Sequence, residues 1–466
     1  MTRVVSCALA LALAHVGLSA NVPEQIHIMY GGDVSNDNML SGMSVTFSTK
    51  SKPSASSISY GASASDLATS IPTRSTTQYH PDGTYHHEAV IPSLDCAAYP
   101  AGSPVFYQAH ADSDSSAPLS FASSGCSRDA ADKPLNLAIF GDWGYMDSDR
   151  RPMKIPATGD EFKGLFKEWS AQHTMDRLQT WKQEKAMDAM WILGDVGYID
   201  DSYAHAPLSF TYEKDFDGFM NWIQNLTSAI PTAVSPGNHE SECHSPSCVT
   251  QYLKHGRHLS NFTAFNTRFN MPSAQSGGSR EGTNMWYSFN MGPAHIVSMN
   301  TETDFSGAEE ETTGDAGIPY LKAGGFGVGT EYLDWLDADL AAATADPATK
   351  WIVVGGHRPF ASAHIEETFK PIFDKYRVHM YFAGHAHSYK RSAPVAGETV
   401  HVVAGGAGCD EMGPPQEELF AQCTLDWSVE SDKYSVGLLS ISDEKLSWKL
   451  VNSEDGSVID QLDVTE

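Results

Sequence analysis

One stretch, from Trp191 to Tyr198, constrains the fold of this chain more than any other. Its sequence, Trp-Ile-Leu-Gly-Asp-Val-Gly-Tyr, is an apolar run that breaks at Gly-Asp and offers a tyrosine three residues later. A buried parallel strand that ends here would deliver Asp195 and Tyr198 to the carboxyl edge of a sheet, where open α/β sheets place their ligands. Both side chains are hard oxygen donors. We therefore expect a layered α/β protein in which Asp195 holds two metal ions together.

Four other segments have the same form, a predicted strand followed by a glycine and polar donors. The strands are predicted at Leu135 to Phe140, Pro231 to Ser235, Trp351 to Gly355 and His379 to Ala383. The donors after them are Asp142, Asn238, His357, His385 and His387. With Asp195 and Tyr198 they are too many for one transition metal and suit two ions. If Asp195 is the bridge, one ion receives Asp142, Tyr198 and His387, and the other receives Asn238, His357 and His385.

The charge balance limits the partners of this chain. Its formal net charge is −28, from 58 acidic residues against 30 lysines and arginines. A phosphate backbone is bound by clustered Lys and Arg, so nucleic acid is not expected as a partner. An anionic substrate would need local positive charge, which metal ions supply.

The amino terminus has the layout of a cleavable secretory signal. Within residues 1–20, Arg3 precedes an apolar run from Val4 to Val16, and small residues follow at Ser19-Ala20. The alternative is a membrane anchor, but the run is too short to span a bilayer. We expect a mature chain that starts near Asn21 and is secreted, to the extracellular space, cell wall or vacuole, without a membrane partner.

The cysteines and two sequons fit the same compartment. Cleavage of the signal would remove Cys7 and leave six cysteines, for which sequence proximity suggests three disulfides. The predicted pairs are Cys96 with Cys126, Cys243 with Cys248, and Cys409 with Cys423. A zinc site at Cys243, His244 and Cys248 is an alternative for the second pair. Asn225 and Asn261 begin the two sequons and are candidate glycosylation sites.

At 466 residues, two domains are the default. Residues 21–130 show short β runs separated by Gly, Ser, Asp and Pro, which is typical of a β-sandwich. Residues 131–466 alternate helices with strands and indicate a layered α/β domain that ends in further strands. Its helices are predicted at Glu161 to Met187, Glu213 to Thr227, Thr330 to Ala343 and Glu366 to Tyr376, and its final strands at Tyr434 to Ile441 and Leu446 to Val451.

The five motifs, in this order, resemble those of the purple acid phosphatases, a branch of the calcineurin-like metallophosphoesterases. The resemblance covers nearly the whole mature chain. Two details favour this branch: Gly144 stands where many metallophosphoesterases carry a histidine ligand, and Tyr198 supplies the oxygen that replaces it. The resemblance implies a fibronectin type III-like β-sandwich, then a four-layer αββα metallophosphoesterase domain whose closing strands lie between Tyr434 and Val464.

The resemblance also implies the cofactors. Fe(III) would lie at the site of Asp142, Tyr198 and His387, and a divalent Zn, Fe or Mn ion at the other, with Asp195 and a hydroxide as bridges. The chemistry of the phenol supports this allocation, because a tyrosine with a pKa of about 10 becomes a good ligand only where a strongly acidic ion displaces its proton. The imidazole and amide donors at the second site do not distinguish between divalent Zn, Fe and Mn.

By the same resemblance, the substrate phosphate faces Asn238, His239, His364 and Glu366, with Glu367 as the alternative acidic residue. His239 and His364 are the candidates to protonate the departing alkoxide. Glu240 is interpreted as a partner that orients an imidazole. Trp143 and Tyr145, on either side of Gly144, are either a pocket wall or packing residues.

The leading hypothesis is a secreted acid phosphatase that hydrolyses phosphate monoesters by attack of metal-bound hydroxide. A phosphodiesterase or nucleotide pyrophosphatase is a second enzyme hypothesis, since hydroxide attack does not distinguish monoesters from diesters. A secreted binding protein with a degenerate phosphatase domain is the third, although an intact donor set argues against it. The expected partners are small phosphoesters, and a homodimer is one option for the assembly.

Overall fold

The structure is a computed structural model that describes residues 21–31, 42–125, 134–145, 171–200, 209–272, 284–308, 323–360, 363–409, 420 and 425–465. Several predictions from the sequence fall outside these ranges. They concern the signal peptide at 1–20, Cys126, Cys423, the first residues of the helix predicted from Glu161, and the domain boundary near residue 130.

The amino-terminal strands form two antiparallel sheets that face each other. Along β7, alternate residues are buried, among them Val105, Tyr107 and Ala109, so one side of the strand faces the core. One sheet has the order β1-β2-β6-β5, and the other has β4-β3-β7-β8 with β9 also paired to β7. The strands are β1 Glu24–Tyr30, β2 Met43–Thr49, β3 Ser56–Gly61, β4 Thr69–Pro72, β5 Ser75–Thr77, β6 Tyr85–Ile91, β7 Pro104–Ala111, β8 Asp114–Ser115 and β9 Leu119–Ala122. The region is a β-sandwich, as predicted.

Two larger mixed sheets make the core of the rest of the chain. The first has the order β14-β12-β10-β22-β23-β24 and the second β15-β16-β17-β18-β20-β19-β21, while β11 pairs with β13 alone. The strands are β10 Leu135–Phe140, β11 Trp143–Gly144, β12 Ala189–Ile192, β13 Val196–Gly197, β14 Thr232–Val234, β15 Tyr287–Met291, β16 Ala294–Ser298, β17 Trp351–Gly355, β18 Met380–Ala383, β19 Tyr389–Ser392, β20 Val400–Ala404, β21 Trp427–Ser431, β22 Ser435–Ile441, β23 Leu446–Asn452 and β24 Val458–Val464.

The helices carry apolar residues at helical spacing. The clearest case is α2, whose buried face includes Phe216, Phe219, Met220 and Ile223. The described helices are α1 Ala171–Glu184, α2 Tyr212–Thr227, α3 Pro246–Thr250, α4 Gly256–Leu259, α5 Thr263–Arg268, α6 Glu331–Ala345 and α7 Ala363–Tyr376, with a 3-10 turn at Asn238–Glu240. The four long helices were predicted from the sequence, and α7 begins three residues earlier than expected.

Aromatic residues fill the space between the two large sheets. Gly355 on β17 has no Cβ, which leaves room for the indole of Trp191 on β12. Phe382 on β18 packs against Trp448 on β23, with 4.9 Å between the ring centroids. Because these pairs join strands of different sheets, the sheets lie face to face, in agreement with the layered fold that the motifs implied.

The strand directions bring the motif residues to one place. In the first sheet β10, β12 and β14 are parallel neighbours, and in the second β17 and β18 are parallel. Their carboxyl ends therefore share an edge between the sheets. The short strands β11 and β13 also pair in parallel, with Trp143 opposite Val196, which holds the loop of Asp142 beside the loop of Asp195.

The β-sandwich packs on the outer side of α2. The backbone N–H of Ile26 donates to the side-chain oxygen of Gln224 at 3.0 Å, and the hydroxyl of Thr227 donates to the Ile26 carbonyl at 2.9 Å. The phenol of Tyr107 donates to the Ser228 carbonyl at 2.6 Å. These hydrogen bonds join the sandwich to the helix that supports the metal-ligand loops.

Arg268, at the end of α5, is a second link between the two units. Its side chain is fully buried and donates to Tyr79 and Gln25 of the sandwich, at 2.8 and 3.0 Å. It also donates to Glu213 and Asp217 of α2, at 3.0 and 2.8 Å. One guanidinium thus satisfies polar groups from both units.

Among the described residues, every helix is too short or too polar to cross a bilayer. The predicted disulfide between Cys243 and Cys248 is present, with 6.3 Å between the Cα atoms. Cys96 is also disulfide-bonded, and its predicted partner, Cys126, lies outside the described ranges. Asn225 and Asn261 are both exposed, and their glycosylation remains a prediction.

Candidate metal centre

The predicted donors converge between the two large sheets. Asp195 belongs to two groups of ligand atoms, and within each group the atoms lie within 4.8 Å of one another. Asp142 and His387 complete one group, and His357 and His385 complete the other. A carboxylate common to two adjacent groups is what a bridged pair of ions requires.

The first group contains the tyrosine. The Tyr198 hydroxyl lies 2.8 Å from Nε2 of His387 and 3.1 Å from Oδ1 of Asp142. It lies 3.5 Å from Oδ2 of Asp195, and the whole side chain is buried. The phenol therefore points at the carboxylates and the imidazole, and is not simply a core aromatic.

The second group is built around the amide of Asn238. Its Oδ1 lies 3.0 Å from Nε2 of His357 and 3.0 Å from Nδ1 of His385. Nε2 of His357 also lies 3.0 Å from Oδ2 of Asp195. On the far side of the ring, Nδ1 of His357 lies 2.8 Å from the carbonyl oxygen of Leu193, which can only accept. Nδ1 therefore carries a proton, and Nε2 is the nitrogen available to a metal.

The loops that carry these side chains have unusual backbones. Four of the donors, Asp142, Asp195, Tyr198 and His385, have positive φ angles of 61°, 53°, 50° and 67°. At Gly237 a Cβ would collide with Oδ1 of Asp195, so only glycine fits there. These sharp turns direct the donor side chains of the loops toward one small volume.

Glu240 fixes the loop that carries the bridging carboxylate. Its carboxylate accepts the backbone N–H groups of Asp195, Val196 and Gly237, at 2.9, 2.8 and 2.7 Å. Burial and the nearby charge of Asp195 raise the pKa of Glu240 to about 8. Glu240 thus bonds three backbone N–H groups, whereas we expected it to orient an imidazole.

Burial and neighbouring charges shift the pKa values of the residues within the centre. Burial alone would raise the pKa of Asp195, but His357 and His239 bring it below its usual range. Burial opposes protonation of His357, yet Asp195 raises its pKa to about 9. Burial and the neighbouring Arg358 lower the pKa of His385. A bound cation would take over the role of the imidazolium proton and release it.

His239 lies beside both Tyr198 and Asp195. Its Nδ1 lies 2.9 and 3.0 Å from the two carboxylate oxygens of Asp200, which is itself within 3.1 Å of His244. Its ring packs on Tyr198 with 4.2 Å between centroids, and its Nε2 lies 4.0 Å from Oδ2 of Asp195. Asp200 therefore holds one ring nitrogen while the other faces the metal ligands.

His364 and Glu366 have a different setting. Both lie in the first turn of α7, where His364 is exposed and Glu366 is partly buried. The His364 ring lies against Gly307, where a Cβ would come within 2.7 Å of Nδ1. The described contact of His364 is with Gly307, and the roles of His364 and Glu366 stay predictions.

Arg358 is a residue that our sequence reasoning missed. It is buried, its Nε donates to Glu302 at 2.8 Å, and its Nη1 lies 3.3 Å from Nε2 of His385. The hydroxyl of Thr301 accepts the backbone N–H groups of His357 and Arg358, at 3.1 and 3.0 Å. Thr301 and Glu302 follow β16, so the strand-end rule that found the ligands would have found them too.

The third predicted disulfide is not present. Cys409 is a buried thiol, and its sulfur hydrogen-bonds His387. Together with Asp142, it raises the pKa of His387 against the effect of burial. Cys423 lies outside the described residues. The Cα of Cys409 also lies within 2.9 Å of where a Cβ on Gly144 would be, so a side chain at position 144 would not fit.

The aromatic residues beside Asp142 are packing residues. Trp143 is fully buried, donates to the Ala171 carbonyl at 3.1 Å and packs on Trp222 at 5.0 Å between centroids. Tyr145 also packs on Trp222, at 5.8 Å. Both side chains anchor the Asp142 loop to α1 and α2.

The donor set fits a pair of metal ions. Each group offers carboxylate and imidazole donors, which first-row transition metals accept, and only the first group adds a phenol. The second adds an amide oxygen. A hard trivalent ion suits the group with the phenol, and a divalent ion suits the other.

Comparisons with known proteins agree with this geometry. The family model described as "Calcineurin-like phosphoesterase" matches residues 135–389, and the one described as "Iron/zinc purple acid phosphatase-like protein C" matches residues 398–461. The chain is 28% identical to Acid phosphatase A of Cryphonectria parasitica over 471 residues, covering 90% of this chain and 88% of that protein. It is 25% identical to Acid phosphatase type 7 of Mus musculus over 488 residues, covering 94% and 90%. The fold is similar to that of the purple acid phosphatase PPD1 from yellow lupin (Lupinus luteus) seeds, with a TM-score of 0.66 and 17% identity, covering 96% and 74%.

Proposed function

Because the chain belongs to the calcineurin-like phosphoesterase family, we propose that it is a purple acid phosphatase that hydrolyses phosphate monoesters at a dinuclear metal centre. One observation carries the proposal: Asp195 is common to two groups of ligand atoms, and the hydroxyl of Tyr198 lies within 3.5 Å of all three residues of one group. When bound, the two ions supply Lewis acidity toward the phosphoryl oxygens and a water acidic enough to act as the nucleophile.

The proposal assigns Asp142, Tyr198 and His387 to a ferric ion, and Asn238, His357 and His385 to a divalent Zn, Fe or Mn ion. The phenol supports the ferric assignment, since it must lose its proton to ligate. Nε2 of His387 lies 2.8 Å from the hydroxyl, so both atoms can ligate one ion, and the phenol proton would be released to solvent when that ion binds. The amide of Asn238 carries no charge, which suits the less acidic ion.

His239 is assigned as the group that protonates the leaving alkoxide. Asp200 accepts the Nδ1 proton of His239 and fixes the plane of the ring. Nε2 then points toward the ligands, 4.0 Å from Asp195, where the ester oxygen departs.

Arg358 is assigned to the substrate phosphate. Its guanidinium is held in place by Glu302 and lies beside His385, so its position depends on a buried ion pair rather than on solvent. A guanidinium presents its donors in a planar fork that matches phosphate oxygens. In a chain with a net charge of −28, such a fixed cation would favour an anionic ester at the centre.

We also propose that the protein is secreted and divided near residue 130. The disulfide between Cys243 and Cys248 supports an oxidising compartment. The sheets of the sandwich end with β9 at Ala122, and those of the second unit begin with β10 at Leu135, which supports the boundary.

The test combines metal analysis with phosphoester hydrolysis. The purified mature chain should hold two metal ions at this centre, absorb visible light and hydrolyse p-nitrophenyl phosphate faster than bis(p-nitrophenyl) phosphate. Asp195→Asn should lose at least one metal ion and most of its turnover. Asp443→Asn is the matched control, since that carboxylate is exposed in the β22–β23 turn.

Three outcomes would count against the proposal. Full activity in Asp195→Asn would show that Asp195 does not bridge the two ions. A preference for the diester would favour a phosphodiesterase. If His239→Ala retained the wild-type rate while His364→Ala lost it, the proton donor would be His364.

A further inference from the structure

A second group of metal-ligating side chains lies away from the catalytic centre. It consists of His80, Asp82 and His255, whose ligand atoms lie within 4.8 Å of one another. His80 and Asp82 follow β5 in the sandwich, while His255 precedes α4 in the phosphoesterase unit. His258, on α4, meets the ring of His80 edge-on at 5.6 Å between centroids.

The two central imidazoles are close enough to share one ion. Nε2 of His80 lies 3.1 Å from Nδ1 of His255, and the rings are parallel within 6°. Two nitrogens on a tetrahedral zinc ion, each about 2.0–2.1 Å from the metal, are separated by about 3.3 Å. Since Nδ1 of His80 accepts the N–H of Asp82, the proton of the His80 ring lies on Nε2. Zinc binding would move that proton to Nδ1 and replace the hydrogen bond between the two rings with two metal bonds. It would also break the 3.2 Å contact in which the Asp82 N–H donates to Nδ1 of His80.

The surroundings keep these imidazoles ordered and neutral. Both rings are buried, and Phe210 stacks on them, at 3.8 Å from His255 and 5.3 Å from His80. Burial lowers the pKa of His80 to about 4, and burial with Lys254 lowers the pKa of His255. The neutral imidazole is the form that binds zinc, and burial favours that form in both rings.

We propose that His80, Asp82 and His255 form a structural zinc site that joins the β-sandwich to the phosphoesterase unit. His258 or a water molecule would take the fourth position of the tetrahedron. Asp82 supplies the negative charge. Its present neighbour, Nζ of Lys254 at 3.9 Å, is exposed and would move away when the cation binds.

The proposed zinc site stabilises the contact between the two units and takes no part in hydrolysis of the ester. Its ligands are far apart in the chain, with His80 and His255 separated by 175 positions. An ion that binds only when both units are docked stabilises the docked state by linkage. Zinc should therefore raise the temperature at which the units separate, whether or not the catalytic centre is filled.

The test is zinc binding by the full chain, in wild type and in an Asp195→Asn background. Equilibrium dialysis against zinc, with elemental analysis, should find one zinc ion per chain beyond those of the catalytic centre. His80→Ala should lose that ion alone. Asp82→Asn changes an exposed side chain, so it should fold normally. It should bind the ion at least about tenfold more weakly, since changes to outer partners alone cost that much at metal sites.

His110→Ala is the matched control. His110 lies in the same sandwich, and its ring nitrogens bond Ser59 and Ser115 rather than other histidines. It should keep the extra ion. The proposal is overturned if the wild type binds no zinc beyond the catalytic centre, or if His80→Ala and Asp82→Asn both bind it as the wild type does. Because metal content is measured directly, the result does not depend on whether the enzyme is active.

Discussion

Replacing Arg268 by methionine should destabilise the protein by several kcal/mol, and by more at alkaline than at acidic pH. Methionine keeps much of the apolar stem but removes every donor. The guanidinium donates to Glu213, Asp217, Tyr79 and Gln25, and lies 4.3 Å above the ring of Phe216.

The loss in the free energy of unfolding depends on the carboxylates that no longer have Arg268 as a partner. Removal of one partner of a buried ion pair typically costs about 3–5 kcal/mol, because the other charge stays buried. Glu213 is that group here, with a side chain only 7% exposed. Asp217 is 24% exposed, so water can replace part of what it loses. We expect a loss of about 3–5 kcal/mol at neutral pH.

The pH dependence comes from the carboxyl of Glu213. Burial raises its pKa from 4.5 to about 7, although Arg268 lowers it. A carboxyl with a raised pKa in the folded state contributes stability that is complete below its unfolded pKa and is lost as pH rises through its folded pKa. Without Arg268 the folded pKa should rise further. Between pH 7 and that new value, the variant should lose up to about 1.4 kcal/mol per pH unit relative to the wild type.

Urea unfolding at pH 6 and pH 8, followed by tryptophan fluorescence, measures both effects. Lys375→Met is the control, because Lys375 pairs with Asp337 at the surface, where an ion pair contributes less than about 1 kcal/mol. Adding Glu213→Gln to Arg268→Met should restore part of the loss at pH 8. A loss below about 1 kcal/mol at both pH values, or a larger loss at pH 6, would refute this reasoning.

Three further changes test the catalytic centre. Tyr198→Phe should abolish visible absorption while the protein stays folded, because the phenolate is the proposed ferric ligand; an unchanged spectrum would rule it out. Gly237→Ala should lose metal and activity, since its Cβ would collide with Oδ1 of Asp195, and a fully loaded variant would contradict the geometry. Arg358→Lys should raise KM for p-nitrophenyl phosphate by about tenfold with kcat nearly unchanged, because it loses the planar fork. A fall in kcat alone would instead place Arg358 at the transition state.

The proposed metal ligands could be grouped from the sequence because their signal is local. Each donor follows a short apolar strand at a glycine, so the rule that parallel strands share a carboxyl edge was enough to group them. The long helices were equally clear from their apolar spacing. Asp195 could be assigned as the bridge by counting donors, without a distance.

Other features depended on contacts between distant parts of the chain. The significance of Arg358 comes from Glu302, 56 positions away, and from His385 on another loop. The pairing of His80 with His255 requires the docking of two units, which no local pattern encodes. The cysteine prediction failed at Cys409 because nearness in sequence does not fix where a side chain points, and this thiol points at His387.

The positive φ angles at Asp142, Asp195, Tyr198 and His385 have a consequence for engineering the stability of the protein. Non-glycine residues in this conformation cost about 1 kcal/mol or more each, so glycine at any of them would relax the backbone of the metal-free protein. Glycine substitutions chosen for thermal stability alone would therefore remove the donor side chains. Because the same four side chains are proposed metal ligands, a more heat-resistant variant that keeps the ions should be sought elsewhere in the chain.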